Sequence, residues 1–193
     1  MRIEKLRKNF EIEVRWRAFP LHPETPDSGL PIREIFAARM IDIPKAMDRL
    51  KRVANELGLP LGERKKTYNS RRAQELSKWA ESKGKGDEFH DAVFRAYFAD
   101  TKNIARATVL AAIIKGIGLS EKEFRDVLKK RTFRDAVDSD WELAHQLRIS
   151  SVPTFVIDDE AVVGAQPYEI LEQFLLDKGV KRRMTLPIKI AGV

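Results

Sequence analysis

The sequence predicts an α/β fold in which short β segments bracket a long helical block. Three observations carry this. FEIEVRWRAF (10–19) alternates strictly, with Phe10, Ile12, Val14, Trp16 and Ala18 on one side and Glu11, Glu13, Arg15 and Arg17 on the other. That is the pattern of a half-buried strand with one wet face. TFVID (154–158) is a short, β-branched apolar run, followed by the turn Asp158-Asp159-Glu160 and a returning AVVGA (161–165), which predicts a hairpin. Between them, apolar residues recur at helical spacing for about a hundred residues.

Taken in order, IEKLRK (3–8) reads as the end of a helix leading into the strand. PLHPETPDSGLP (20–31) holds four prolines and predicts a loop. The helical block then opens. Ile43 to Leu57 places Met47, Leu50, Ala54 and Leu57 on one face, with Gly58 as a C-terminal stop. Ser70 to Lys83 carries Ala73, Leu76, Trp79 and Ala80. Asp87 is expected to cap the next helix, which presents Phe89, Val93, Phe94, Tyr97 and Phe98 inward. Ile104 to Lys115 is apolar enough to be buried and is closed by Gly116 and Gly118. Ser120 with Glu123 forms a capping box ahead of Phe124, Val127 and Leu128. A further helix spans Arg134 to Leu147. After the hairpin, Pro167 opens a final helix with Ile170, Leu171, Phe174 and Leu175 inward and Gly179 at its end.

Composition narrows the function classes. The chain has 193 residues, 43% hydrophobic and 34% charged, which suits one globular domain or one domain carrying an insertion. No apolar run approaches the roughly 20 residues that span a bilayer, so no membrane partner is expected. The first residues lack an apolar leader, and a cytoplasmic location is the expectation. There is no cysteine, which removes disulfides, thiolate metal sites and a cysteine nucleophile from this chain.

The net charge is +7, with basic clusters at Arg64-Lys65-Lys66, Arg71-Arg72, Lys129-Lys130-Arg131 and Lys181-Arg182-Arg183. The clusters are scattered and acids sit near most of them, so they read as solvated helix faces, and no nucleic-acid partner is expected. ELAHQLRISSVPTF (142–155) resembles a helix-turn-helix, but Pro153 would interrupt the recognition helix and Arg148 stands where the turn prefers glycine. His22, His90 and His145 are too scattered for a metal site, and no cofactor is expected.

Val152-Pro153-Thr154 remains. An X-Pro bond is the one peptide bond with a substantial cis population. A cis bond there would turn the chain into the hairpin and leave the backbone of Val152 free for an extended ligand. A trans proline opening an edge strand is equally consistent with the local sequence.

WRAFPLHPETP (16–26), the helical block, SVPTFVIDD (151–159) and GAQPYEILEQFL (164–175) together resemble the DsbA-like thioredoxin-fold oxidoreductases. The resemblance is closest to the FrnE-type dithiol–disulfide oxidoreductases and isomerases, and it covers residues 1–178. It implies an α/β thioredoxin-like fold with a large α-helical insertion. Residues 1–31 and 148–179 would form the thioredoxin-like part, 32–147 the insertion and 180–193 a C-terminal tail. It also implies that Pro153 is the family's cis-proline. Val152, Pro153, Thr154, Phe19, His22 and Gln166 would be substrate-binding, and the partner would be an extended peptide or dithiol substrate.

The family's Cys-x-x-Cys lies just after a first strand that this sequence does not contain, so no catalytic residue carries over. As written, the chain is expected to be redox-inactive. Three accounts follow. In the first, the native protein starts upstream. In the second, the chain is a cysteine-free interaction module whose sheet is completed by residues 184–193 or by a partner chain, a homodimer included. In the third, it is a relative of the glutathione-dependent 2-hydroxychromene-2-carboxylate isomerases.

Overall fold

A computed structural model describes residues 2–37 and 42–183. In chain order the elements are α1 (Arg2–Asn9), β1 (Leu30–Pro31), α2 (Ile32–Ile35), α3 (Ile43–Glu56), β2 (Lys66–Thr67), α4 (Arg71–Ser82) and α5 (Gly86–Phe94). A π-helical turn (Arg95–Ala99) follows, then α6 (Ala107–Gly116), α7 (Glu121–Lys130), α8 (Arg134–Gln146), β3 (Thr154–Ile157), β4 (Glu160–Val163) and α9 (Tyr168–Asp177). The chain forms two compact units, residues 1–17 with 145–193 and residues 18–144.

In the first unit, α1, α9 and one face of the β3–β4 hairpin share a core. Leu6, Phe10, Leu171 and Leu175 are buried, with Ile3, Ile12, Phe155, Ile157, Val162 and Tyr168 packed against them. Leu171 and Leu175 are four apart and so lie on one side of α9. Ile170, expected inward, is exposed instead. Its place next to Leu171 in sequence turns it off that stripe. Polar contacts fasten the ends. Asn9 Nδ2 donates to the Tyr168 hydroxyl at 2.8 Å, which donates on to Glu172 Oε1 at 3.0 Å. Arg182 bonds the same carboxylate at 2.9 Å and lies over the Phe10 ring.

The strand expected over 10–19 does not form. Phe10 makes an isolated bridge with Arg182, flanked by Glu11 N to Lys181 O (2.9 Å) and Arg183 N to Asn9 O (2.8 Å), and 11–19 carries no regular structure. The alternation survives in burial: Glu11, Glu13, Arg15 and Arg17 are exposed, while Ile12, Val14 and Trp16 are half-buried. Alternation says which side chains leave water, but a strand also needs a neighbour for its N–H and C=O groups. Residues 181–183 supply one for Phe10 and Glu11. Residues 184–193, suggested above as a sheet-completing segment, lie outside the described residues.

The second unit is helical around a core of Leu76, Trp79, Ala80, Phe89, Leu110, Ile114 and Phe124. The Ser120 hydroxyl accepts from Glu123 N at 3.3 Å, which satisfies one free N–H at the start of α7. Asp87 does not cap α5. Lys85 holds that position without a side-chain bond, and Asp87 falls in the first turn, where its charge still suits the helix dipole. Ile104 and Ala105 are buried but precede α6, which begins at Ala107.

Two features were not expected. Leu30–Pro31 pairs antiparallel with Lys66–Thr67 inside the helical block. A π-helical turn follows α5, and Phe94 and Phe98, expected inward, are exposed, since both lie off the i, i+4, i+7 stripe of the buried Phe89, Val93 and Ala96.

The basic clusters are not simply solvated helix faces. Arg71 and Arg131 both bond the buried Glu75 carboxylate. Arg72 pairs with Asp27 at 3.0 Å. Arg183 Nε donates to Phe10 O at 2.9 Å. Arg64 lies on no helix at all.

Candidate functional site

The site is the entry to the β3–β4 hairpin. β-branched Thr154, Val156 and Ile157 with Phe155 favour a strand, and Asp158, at a φ of 53°, takes the left-handed conformation that short polar residues tolerate in a tight turn. The register is Thr154↔Val163, Phe155↔Val162, Val156↔Ala161 and Ile157↔Glu160. Lys178 clasps the turn to the end of α9. Its ammonium lies 2.6 Å from Glu160 Oε1, and this bond holds its pKa above the ordinary lysine value.

The Val152–Pro153 peptide bond is cis. The Pro153 carbonyl accepts from Gly164 N at 2.8 Å, which extends the ladder by one residue. Antiparallel ladders alternate, so with Ile157 and Glu160 closing a two-residue turn, Phe155 and Pro153 bond toward β4. The main-chain groups of Thr154 and Val156 then point away from β4, along the open edge of β3. Val152 lies across the cis bond, in the bend that precedes β3. Among the described residues neither of its main-chain groups makes a hydrogen bond, and the residue is 44% exposed.

Two local devices hold this edge. The Thr154 hydroxyl donates to Ser151 O at 2.7 Å, which fixes the chain on both sides of the proline. Gln166 folds back, with N donating to Gly164 O at 2.9 Å and Nε2 to Val163 O at 2.7 Å. Gly164 sits at a φ of 92°, a conformation open to glycine and strained for other residues.

Val152, Pro153, Thr154 and Gln166 are thus brought together at one end of the hairpin. Phe19 and His22 belong to the other unit. There the Phe19 carbonyl accepts from Gln74 Nε2 at 3.0 Å. The His22 ring meets Phe36 edge-on at 6.2 Å, and its Nδ1 lies 3.7 Å from Glu24 Oε1. The sequence reading missed that the whole β3 edge, and not Val152 alone, presents free main-chain groups. The signal was present in TFVI, which has no charge or proline to blunt an edge.

Among the described residues no group of His, Cys, Asp or Glu is placed to hold a metal ion, and no helix is long and apolar enough to cross a membrane.

The cis Val152–Pro153 bond thus opens a hairpin that packs on two helices. Residues 1–176 match the DSBA-like thioredoxin domain family, and the chain belongs to that family. The uncharacterised Bacillus subtilis (strain 168) protein YwbO is 25% identical over 182 residues, which is 93% of this chain and 88% of that one. The crystal structure of a probable DsbA oxidoreductase from Streptomyces coelicolor superposes with a TM-score of 0.83. It is 28% identical and covers 96% of this chain and 85% of that one. A 2-hydroxychromene-2-carboxylate isomerase superposes with a TM-score of 0.68 at 20% identity, covering 92% of this chain and 85% of the isomerase, which shows a shared fold.

Proposed function

We propose that this chain is a peptide-receiving module of the DsbA-like family, of the FrnE type, which holds an extended substrate segment along Val152–Val156 and does not itself exchange thiols. The observation that carries the reading is the unpaired main chain of Val152, continuous with the outward groups of Thr154 and Val156. An extended peptide laid against that edge would satisfy them by strand addition, with main-chain bonds supplying affinity and the exposed Val152 side chain supplying selection. The absence of cysteine supports the second half: disulfide exchange requires a thiolate to attack a disulfide sulfur, and this chain has none.

Two measurements test it. Insulin reduction by dithiothreitol should run no faster with the 193-residue chain than without it; acceleration would overturn the inactive reading. An extended, carboxymethylated peptide should shift the amide resonances of Val152, Thr154 and Val156. Val152→Asp, which places a charge on the receiving edge, should weaken the peptide's binding. Shifts confined elsewhere, or none, would overturn the receiving edge.

A further inference from the structure

The helical unit contains one arginine arrangement twice, once complete and once not. At Arg71 the guanidinium lies over the Trp141 ring, 4.6 Å from its centroid. Its edge bonds two carboxylates, Glu75 Oε1 and Asp138 Oδ1, both at 2.7 Å. One face of the cation is covered by an aromatic ring, and the N–H edge is filled by acids.

At Arg64 the first half recurs. Its guanidinium lies 4.2 Å from the centroid of Tyr97 and 5.4 Å from that of Phe98, and the two rings meet edge-on at 4.9 Å. The second half does not recur. Among the described residues Arg64 has no ion pair and no side-chain hydrogen bond, and the remaining residues of the sequence include no aspartate or glutamate. Burial pulls the Arg64 pKa below its ordinary value, as expected of a desolvated cation without a carboxylate partner.

The placement is built, not incidental. Gly62 N donates to Phe98 O at 2.8 Å, and a Cβ at Gly62 would clash with the Ala99 carbonyl oxygen. The loop therefore lies directly on the π-helical turn, and Arg64 follows two residues later. Phe98, within that turn, is 38% exposed, with the Phe94 ring 6.1 Å from it and 44% exposed. A guanidinium with a free N–H edge thus adjoins an exposed apolar strip of two rings, and Lys65 and Lys66 follow in sequence, both exposed.

We propose that Arg64, Tyr97, Phe98 and Phe94 form a binding site for a small carboxylate with an apolar body, such as an aryl or alkyl carboxylate. The carboxylate would take the guanidinium edge in the bidentate geometry that planar fork and carboxylate share, and the body would lie on Phe98 and Phe94. This site is separate from the receiving edge at Val152 and does not depend on the reading given to that edge.

Calorimetric titration of the full chain with phenylacetate tests it, with phenylacetamide and inorganic phosphate as comparison probes. Phenylacetate should bind saturably. The neutral amide should bind about tenfold more weakly or worse, since it loses the charge-assisted bond. Arg64→Gln should weaken phenylacetate by a similar factor, and Arg64→Lys, which keeps the charge but loses the fork, should fall between. Phe98→Ala should weaken phenylacetate and leave phosphate unchanged. Circular dichroism establishes that each variant folds; if Arg64→Gln does not, Arg64→Lys and Phe98→Ala decide. No phenylacetate binding at millimolar concentration, amide binding equal to the acid, or indifference to both Arg64 substitutions would overturn the proposal. Phosphate binding as tightly as phenylacetate, with Phe98→Ala without effect on either, would overturn the apolar-carboxylate assignment.

Discussion

Replacing Glu75 by Gln should destabilise the helical unit by about 2–3 kcal/mol at neutral pH. The Glu75 side chain is 5% exposed and accepts from Arg71 Nε at 2.7 Å and from both Nε and Nη2 of Arg131. It therefore ties α4 to Arg131, the residue that ends α7 in a left-handed conformation. A carboxamide keeps the shape but offers one acceptor, and its N–H groups face donors. Removing one partner of a fully buried pair costs roughly 3–5 kcal/mol. Two features reduce that here. Arg131 is 47% exposed, so water screens its share. Arg71 also keeps Asp138 and the Trp141 ring.

The expected fall in Tm is about 4–12 °C for a chain of this size. Urea denaturation followed by tryptophan fluorescence reads the effect, since two of the three tryptophans, Trp79 and Trp141, belong to this unit, and Trp16→Phe removes the third from the signal. Acid adds a second signature. Burial by itself would raise the Glu75 pKa, but hydrogen bonds from Arg131 and Arg71, with their charges, outweigh it and hold the folded value below the ordinary 4.5. A lowered folded pKa contributes stability that is complete above the unfolded value and is lost as pH falls through the folded one. The gap between wild type and Glu75→Gln should thus be constant from neutral pH to about pH 5 and shrink below it. A gap under about 0.5 kcal/mol at neutral pH, or one that widens on acidification, would refute this account.

Three further substitutions follow from packing. Leu110→Ala empties a fully buried position in the helical core and should cost about 2.5–5 kcal/mol in the same urea assay. Ser120→Ala removes the hydroxyl that accepts from Glu123 N and should cost about 1 kcal/mol, seen as a lower urea midpoint with an unchanged slope. Gly62→Ala drives a methyl group against the Ala99 carbonyl oxygen. It should cost about 1–3 kcal/mol and speed exchange of its own amide, which is bonded to Phe98 O.

What was legible in the sequence divides along physical lines. Helices with a strong apolar stripe were readable because burial and periodicity agree: Ala73, Leu76, Trp79 and Ala80 are all buried on α4. The hairpin was readable because its strands and turn use different residues. Two kinds of feature were not. In the aromatic-rich run FHDAVFRAYF (89–98) several stripes compete, and Phe94 and Phe98 lie off the buried face of Phe89, Val93 and Ala96; nothing in RAYFA announces the i→i+5 turn either. Pairings between distant segments are also invisible. Leu30–Pro31 with Lys66–Thr67 is too short to alternate, and the rings under Arg64 come from far along the chain. A cluster of basic residues looks the same whether its members meet water, a buried carboxylate or an aromatic face.

The candidate site shows the same division in a form that bears on function. A strand-receiving edge is made of backbone, so its presence depends on register and on which way each N–H points. Disulfide exchange is made of a thiolate, so its presence depends on one residue type. The second was legible at once from a composition without cysteine. The open edge on which the first would rest emerged only when the ladder from Ile157–Glu160 to Pro153–Gly164 fixed the alternation and turned Thr154 and Val156 outward. Because binding rests on main chain and chemistry on a side chain, loss of one does not entail loss of the other. A DsbA-like chain without a thiol can therefore keep the part that grips an extended segment. Peptide-induced shifts at Val152 and an unaltered rate of insulin reduction are for that reason independent outcomes.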